Sequence, residues 1–531
     1  MRMRRGMLLV PAVVGVTMLG TSALASAAPA GSLSAGLPAL TLSPAHLAAI
    51  HAEVALHARM VARERPHQAV RGPGDISLAG TARSSTTAPP NLTSVQQISQ
   101  DTLPAAPSIE PDTETEPDIS IDPNNAAIMT AVFQVGRDGD NGGAQDGGFA
   151  TSTNGGHSWT SGNLPDLTTA TGGQFQHASD TVVAFGADGS DYAQTIPFDV
   201  TDARSGVAVQ RSADHGLTFG PPSLVVDDNS LQIFNDKNWI TADTNPGSPF
   251  RGRIYSVWSR FITKGTGNRS ETNSPGAVSY STDDGKTWSP FVLASAPQAD
   301  TEGLLPLVHP DGVVTIVYDL FVPAKKADFE TAQTSRDGGV TWSQPVTIGQ
   351  FEGAEVPGMR TGGLPAAAID PVTGNMYVVW QDTRFNSAGL NDIVLSESTD
   401  GGSTWSSPRV VNPEVAGLDR FTPAVAADGG NVYISYRTRG DNGTAPDVSE
   451  NLVVSTDGGA TFRTEQTVGP PTELQFAAVS IEGGPPVAFL GDYMGLAATA
   501  GQAQLAWCVA SQPPVSGESF HQTTWSGTVT P

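Results

Sequence analysis

The chain has 531 residues, with 28 lysines and arginines against 53 aspartates and glutamates, so its formal net charge at neutral pH is −25. This excess of negative charge disfavours nucleic acid as a partner, because phosphates are bound by basic side chains. The length allows more than one domain. The single cysteine, Cys508, has no partner in the chain for a disulfide, and we expect it to be a buried thiol.

The first 27 residues have the pattern of a secretory signal peptide. Arg2, Arg4 and Arg5 form a basic start, residues 7–19 are an apolar run too short to span a bilayer, and Ala-Ser-Ala at 25–27 is a small-residue cleavage site. The sequence therefore predicts a secreted, extracellular protein with no membrane span after cleavage of the signal.

Residues 28–92 are predicted to be a short N-terminal extension. Its helix covers about 42–65, with Ser43 as the cap, Pro44 in the first turn and Pro66 as the stop. A linker rich in Gly, Ser, Thr and Pro follows. The helix could be a pro-segment, a docking element or a piece packed on the next domain, and the sequence does not distinguish these roles.

From residue 93 to 531 the chain is predicted to be β-strand, and one eight-residue motif recurs there six times. The copy at 398–405 reads STDGGSTW, in which Asp and Gly suit a tight turn between two strands. The third position of the motif is Asn154, Asp214, Asp283, Asp337, Asp400 and Asp457 in successive copies. A spacing of roughly 60 residues, with several short strands in each interval, predicts radial repetition rather than a sandwich.

These motifs resemble the Asp boxes of the sialidase-like (BNR-repeat) β-propellers. In that family the box lies between the third and fourth strands of a blade, away from the active site, so it indicates fold and not chemistry. Seven inner-strand patterns can be found, one more than the boxes. The sequence thus predicts an all-β, seven-bladed β-propeller, with six blades plus an irregular cap as the alternative. Residues 93–99 are predicted to complete the last blade as its outer strand.

The resemblance also implies a catalytic set: an arginine triad for the substrate carboxylate, a tyrosine nucleophile with a glutamate base, and an aspartate acid/base. Glu302 in TEGLLPLVHPDG and Tyr493 in GDYMGL are similar in place to the glutamate and the tyrosine. The triad is not reproduced, because Glu116-Pro117 stands where the family has Arg-Ile-Pro. The strand after Glu302 ends in Asp319 instead of arginine.

Six other arginines are candidates for a substitute substrate-binding site. They lie at the ends of second strands or the starts of first strands: Arg137, Arg260, Arg360, Arg384, Arg420 and Arg439. Alternatively, they are exposed and make surface ion pairs of little energetic weight. Asp180, Asp236, Asp419 and Asp492 near first-strand starts would oppose an anionic ligand unless arginines lie closer to it.

A calcium site is predicted in the first long loop, where Asp138, Asp140 and Asp146 are close in sequence. Ordinary Asx turns explain this spacing equally well.

The sequence is consistent with two functions. One is an exo-acting, sialidase-like glycoside hydrolase on sialic-acid-like or other extracellular glycans, with Tyr493 and Glu302 as catalysts. The other is a non-catalytic propeller that binds a glycan or a protein, such as a glycoprotein, through its loop face.

Overall fold

The computed structural model describes residues 88–265, 271–481, 485–499 and 501–531, which belong to one compact unit. The predicted signal peptide and N-terminal helix lie outside the described residues. The regular secondary structure of the described chain is almost entirely β-strand, with a four-residue helix at Gly440–Gly443 and 3₁₀ turns at Thr383–Phe385 and Leu474–Phe476. None of these helical pieces has the length and hydropathy that crossing a bilayer requires.

Strands follow one another along the chain with short connections. The first strands are β1 (Asn91–Gln97), β2 (Ile109–Ile121), β3 (Met129–Asp138), β4 (Ala144–Ser152), β5 (Thr160–Asn163), β6 (His177–Phe185), β7 (Asp191–Phe198), β8 (Arg204–Ser212) and β9 (Ser223–Asn229). The next are β10 (Ile233–Ala242), β11 (Ile254–Lys264), β12 (Glu271–Asn273), β13 (Gly276–Ser281), β14 (Val292–Leu293), β15 (Thr301–Val308), β16 (Val314–Val322), β17 (Ala327–Ser335) and β18 (Val346–Phe351).

The remaining strands complete the described chain. They are β19 (Met359–Arg360), β20 (Ala366–Ile369), β21 (Met376–Asp382), β22 (Asp392–Ser398), β23 (Arg409–Val410), β24 (Asp419–Asp428), β25 (Asn431–Arg439), β26 (Asp447–Ser455), β27 (Gln466–Glu473), β28 (Val479–Ser480), β29 (Val487–Phe489), β30 (Gly495–Thr499), β31 (Gln502–Ala510) and β32 (Gln522–Thr530).

These strands form the sheets of a β-propeller. The largest sheet has twelve strands in the order β30-β31-β32-β2-β3-β4-β6-β7-β8-β9, with β1 on β32 and β5 on β4. The others are β10-β11-β13-β14 with β12 on β11, then β15 to β18, β20 to β23 and β24 to β27. A small sheet joins β19, β29 and β28. The inner strands contact one another in a closed ring, β2-β6-β10-β15-β20-β24-β30.

The predicted count of seven blades and the alternative of six are both wrong as counts of separate sheets. In the described ranges, five separate sheets have four or more strands. The reason is edge-to-edge bridging, which joins three of the predicted units into the twelve-stranded sheet. Thr113 of β2 pairs with Gln522 of β32, and Ala144 of β4 pairs with Ala178 of β6. A repeat in sequence therefore does not always become a separate sheet.

The ends of the described chain are joined as the sequence predicted. β1 pairs with β32 in antiparallel register, from Asn91 opposite Thr530 to Gln97 opposite Trp525. The prediction that residues 93–99 supply an outer strand to the last unit is confirmed. This pairing covers an edge of β32 that would otherwise be open to another chain.

The Asp-box turns form because their side chains satisfy the backbone of the hairpin. In the copy at 398–405, Asp400 Oδ1 accepts a hydrogen bond from the Thr404 backbone N–H (2.9 Å), and Asp400 Oδ2 accepts one from the Thr404 hydroxyl (2.6 Å). Ser398 Oγ accepts one from the Gly402 N–H (2.9 Å). Gly401 and Gly402 have φ values of 71° and 79°, which glycine adopts without steric cost. The predicted hairpin turns are confirmed.

Candidate functional site

A β-bulge recurs in five of the inner strands. In each, two residues of the inner strand stand opposite one residue of the partner strand, and the first of the two has a positive φ. These residues are Glu116 (52°), Asp180 (48°), Lys237 (43°), Gly303 (65°) and Thr422 (48°). Bulges bend a strand and redirect a side chain, and positive φ at a non-glycine residue is strained. Such a repeated strained position is a typical feature of a functional site.

Residues at four of these bulges, on β2, β6, β10 and β15, line a pocket at the inner strands, which we call the central pocket. Its charged lining comprises the acidic Glu116, Asp180, Asp236, Glu302 and Asp492 and the basic Arg137, Lys237 and Arg360. The empty space is about 780 Å³, including the part that is open to solvent. A concave site with several convergent polar groups is the usual form of a ligand-binding pocket.

Two arginines of the pocket share one aromatic ring. The guanidinium carbons of Arg137 and Arg360 lie 4.3 Å and 4.8 Å from the ring centroid of Phe489. Arg360 also donates to both carboxylate oxygens of Asp492, at 3.2 Å and 2.5 Å. Arg137 donates to the Gly143 carbonyl (3.1 Å), whereas its buried Nε has no hydrogen-bond partner in the described part of the chain. Arg137 thus has a donor left for a ligand.

Three acidic groups of the pocket hold protons more tightly than usual. Burial, together with the charges of Asp180 and Asp492, raises the pKa of Glu116 to about 8. Burial and the neighbouring Asp180 raise the pKa of Asp236 to about 7. Burial also raises the pKa of Asp180. Carboxyl groups that are neutral near pH 7 can donate a proton, which ordinary aspartates and glutamates cannot do at that pH.

A chain of hydrogen bonds fixes these acids in place. The Gln134 amide donates to Glu116 and to Ser179 Oγ (3.1 Å), and Ser179 Oγ donates to Asp180 Oδ2 (3.1 Å). Glu116 Oε1 also accepts the backbone N–H of Asp492 (3.2 Å). The carboxyl groups from different inner strands are therefore connected to one another and cannot rotate freely.

Of the predicted site residues, the structure brings Glu302, Arg137 and Arg360 together in the central pocket. The other four arginines are engaged elsewhere. Arg260 pairs with Asp228 (2.5 Å) and Arg384 pairs with Asp382 (2.5 Å). Arg420 binds Asp392 (3.2 Å) and the Pro413 carbonyl (2.8 Å), and Arg439 binds the carbonyls of Ala445 (2.6 Å) and Pro357 (2.5 Å). Arg137, Arg260, Arg420 and Arg439 are buried, so the alternative of exposed surface pairs is wrong for them.

Tyr493 lies beside the pocket but is not part of its lining. It is buried, and its hydroxyl donates to the Thr181 carbonyl (3.3 Å). Burial, followed by the charges of Glu116 and Asp180, raises its pKa well above the usual value. A nucleophilic tyrosine needs the opposite shift. The predicted nucleophile stays a prediction, and the surroundings of the hydroxyl weigh against it.

Two of the predicted calcium ligands, Asp138 and Asp146, accept hydrogen bonds from protein groups. Asp138 accepts from the backbone N–H groups of Asp140 (3.1 Å) and Asn141 (3.0 Å). Asp146 accepts from the hydroxyls of Thr168 and Thr171, both at 2.6 Å. Among the described residues, no group of three or more His, Cys, Asp or Glu side chains is arranged to hold a metal ion. The Asx-turn alternative fits the contacts of Asp138 but not those of Asp146, and calcium binding stays a prediction.

Sequence reasoning missed the pocket position of four residues, Glu116, Asp180, Asp236 and Lys237. In the sequence, Glu116 is only a departure from the family pattern, and Asp180 and Asp236 only add negative potential. Lys237 carried no motif at all. The signal that could have found them is position: each falls two or fewer residues from a slip of register at an inner strand. That slip is not visible without the partner strand.

Comparisons with known proteins agree with the Asp-box pattern. The family model "BNR/Asp-box repeat" matches residues 279–290. A sialidase of Bacteroides fragilis (strain YCH46) is 30% identical over 122 residues, which are 20% of this chain and 22% of that protein. These two matches support the sialidase-like BNR propeller superfamily, and the aligned stretch spans under a quarter of the curated relative.

Solved structures give a similar result at lower identity. The Hadza microbial sialidase Hz136 has 14% identity and a TM-score of 0.43, with 66% of each chain covered. A polysaccharide lyase described as an ulvan lyase has 13% identity and a TM-score of 0.45, with 78% of this chain and 94% of that chain covered. Because both TM-scores are below 0.5, the propeller assignment depends on the sheets and Asp boxes of this chain.

Proposed function

We propose that this protein is a glycan-active enzyme, a glycoside hydrolase that binds an anionic sugar in the central pocket. The observation that carries the proposal is the presence, in one pocket, of arginines on an aromatic ring and of carboxyl groups that are protonated near neutral pH. The sialidase name of the curated relative supports the glycan class. The signal-like pattern at residues 1–27 supports action outside the cell, on glycans or glycoproteins.

Glu116 is the proposed general acid. With a pKa of about 8, it is mostly protonated at pH 7 and can donate to the oxygen of a leaving sugar. Gln134 and the backbone of Asp492 hold its carboxyl group in position. Glu302, the glutamate that the sequence predicted as a base, lines the same pocket and is the proposed second carboxylate.

Protonation also explains how an acidic pocket accepts an anion. Fully ionised, the lining has five negative and three positive side chains. Protons on Glu116 and Asp236 remove two negative charges, so the arginines and Lys237 are no longer outnumbered. Arg137, which has a free buried donor, is the proposed contact for the ligand carboxylate.

The experiment is turnover of a panel of fluorogenic glycosides that includes uronides, sialosides and neutral sugars. Glu116→Gln keeps the shape and hydrogen-bonding size of the side chain, and we expect it to lower kcat by about 100-fold or more, as loss of a general acid does. Glu450→Gln is the matched control, because Glu450 is also buried with a pKa raised to about 8 but lies outside the pocket. Equal turnover by the wild type and Glu116→Gln would contradict the assignment.

The second candidate is a non-catalytic propeller that binds an anionic glycan. The burial of Tyr493 and its bond to the Thr181 carbonyl favour it, because they leave the usual nucleophile of sialidase-like enzymes without activation. Binding of an anionic sugar by folded protein, with no turnover of any member of the panel, would select this candidate. Binding would then be lost on changing Arg137 to Met.

A further inference from the structure

We infer that Lys237 forms a second anion subsite in the central pocket, separate from the subsite at Arg137. The ligand would then carry two anionic groups, such as the carboxylate of a uronic acid and a sulfate ester on the same sugar. The inference rests on the proposed function and narrows its substrate class. Three features of Lys237 carry it.

The first feature is the aromatic setting of the ammonium group. Lys237 is 6% exposed, and its Nζ lies 3.6 Å from the ring centroid of Tyr493 and 4.6 Å from a ring of Trp239. The two rings meet edge to face, 5.3 Å apart. Aromatic faces attract an ammonium group, so the two rings hold Nζ at the pocket wall. Lys237 is therefore positioned to bind an anion.

The second feature is a set of unused donors. An ammonium group has three N–H donors, yet Lys237 Nζ makes no hydrogen bond within the residues that the structure describes. Asp180 Oδ1 is 3.9 Å away, which is an ion-pair distance but too long for a hydrogen bond. A buried ammonium with unsatisfied donors is unfavourable. An oxyanion in the pocket would relieve this cost.

The third feature is a backbone that holds the lysine in the pocket. Lys237 has a φ of 43° at the bulge of β10, and its backbone N–H donates to Asp236 Oδ1 (2.9 Å). Strain of this kind persists only where neighbouring contacts impose it, and it is concentrated at ligand sites. The lysine is thus placed before any ligand arrives.

The two subsites have separate supports. Arg137 lies on Phe489, whereas Lys237 lies on Tyr493 and Trp239. Arg137 comes from β3, which pairs with the inner strand β2, whereas Lys237 comes from the inner strand β10. Neither cation has a hydrogen-bonded carboxylate partner in the described ranges. A ligand with one anionic group would therefore leave one of the two cations unsatisfied.

The test is calorimetric binding of glucose, glucuronate and the 2-, 3- and 4-sulfates of glucuronate to the full-length purified protein. We expect at least one sulfate to bind about tenfold or more tightly than glucuronate, the gain typical of a charge-assisted hydrogen bond. Lys237→Met, which keeps most of the length of the side chain, should remove that gain, so that the sulfate and glucuronate bind with similar affinity. Lys237→Arg should restore part of the gain.

Lys286→Met is the matched control, because Lys286 is exposed on an Asp-box hairpin and pairs with Asp284 (3.3 Å). It should bind every sugar as the wild type does. If the wild type binds glucuronate but no sulfate more tightly, or if the gain survives in Lys237→Met, the second subsite is refuted while the proposed function stands. If no anionic sugar binds to protein with a normal melting transition, the proposed function and this inference both fail.

Discussion

The guanidinium of Arg360 donates to both carboxylate oxygens of Asp492, a residue 132 positions later in the chain. This pair joins β19 to the loop before β30 at the wall of the central pocket. Asp492 partly neutralises the charge of Arg360, whose guanidinium contacts the same Phe489 ring as the guanidinium of Arg137. The availability of Arg360 to a ligand therefore depends on Asp492.

Asp492→Asn should tighten the binding of an anionic sugar by about three- to tenfold. The substitution removes a negative charge from the pocket wall and releases Arg360 from its carboxylate partner, an effect of roughly 1 kcal/mol. Calorimetric titration with glucuronate measures it. Asp227→Asn is the control, because it removes the partner of Arg204 (2.9 Å) away from the pocket. Weaker binding by Asp492→Asn would show that the pair positions Arg360 for the ligand.

The affinity for anionic sugars should rise as the pH falls from about 9 to about 6. The pKa values of Glu116 and Asp236 are raised to about 8 and about 7, so each loses its negative charge within this window. Ligand carboxylates, with pKa values near 4, stay ionised throughout. Titrations at several pH values measure the slope, which Glu116→Gln should reduce. Equal slopes for neutral and anionic sugars would contradict the explanation.

Tyr493→Phe distinguishes the sequence-based nucleophile from the role that the contacts indicate. The substitution removes a hydroxyl that is bonded to the Thr181 carbonyl and retains the ring beside Lys237. We expect turnover and anion affinity to stay within about threefold of the wild type, since a cation–π contact is a ring property. Tyr493→Leu, which lacks the ring, should weaken binding. Complete loss of turnover in Tyr493→Phe alone would establish the tyrosine as the nucleophile.

Glu450→Gln should stabilise the protein at pH 8 but not at pH 4. Burial raises the pKa of Glu450 from 4.5 to about 8 in the folded state. Between these values the unfolded chain ionises while the folded protein must retain the proton, so the wild type loses stability as the pH rises through this window. The glutamine amide does not titrate in this range, so the variant does not lose stability in this way. The gain in the free energy of unfolding at pH 8 should be on the order of a few kcal/mol. Thermal melting at both pH values measures it, with the exposed Glu518→Gln as the control.

The site was only partly predictable, for a reason that its arginines illustrate. Arg137 and Arg420 both stand at strand ends in the sequence, yet one lines the pocket and the other is buried against Asp392 and Pro413. Which partner an arginine meets depends on strands that are distant in the chain. The same holds for Tyr493, whose motif resembles a nucleophile but whose hydroxyl meets Thr181.

The sequence by itself determined the elements whose chemistry is local. The Asp-box turns follow from Ser, Asp, Gly and Thr within eight residues, and the outer strand at Asn91–Gln97 follows from a last unit that lacked one. Only the tertiary structure decided the joining of units into a twelve-stranded sheet, the repeated bulges and the raised pKa values of Glu116 and Asp236. Register and burial arise from the approach of separate strands, and they set both the strain at Lys237 and the proton affinity of the acids beside it.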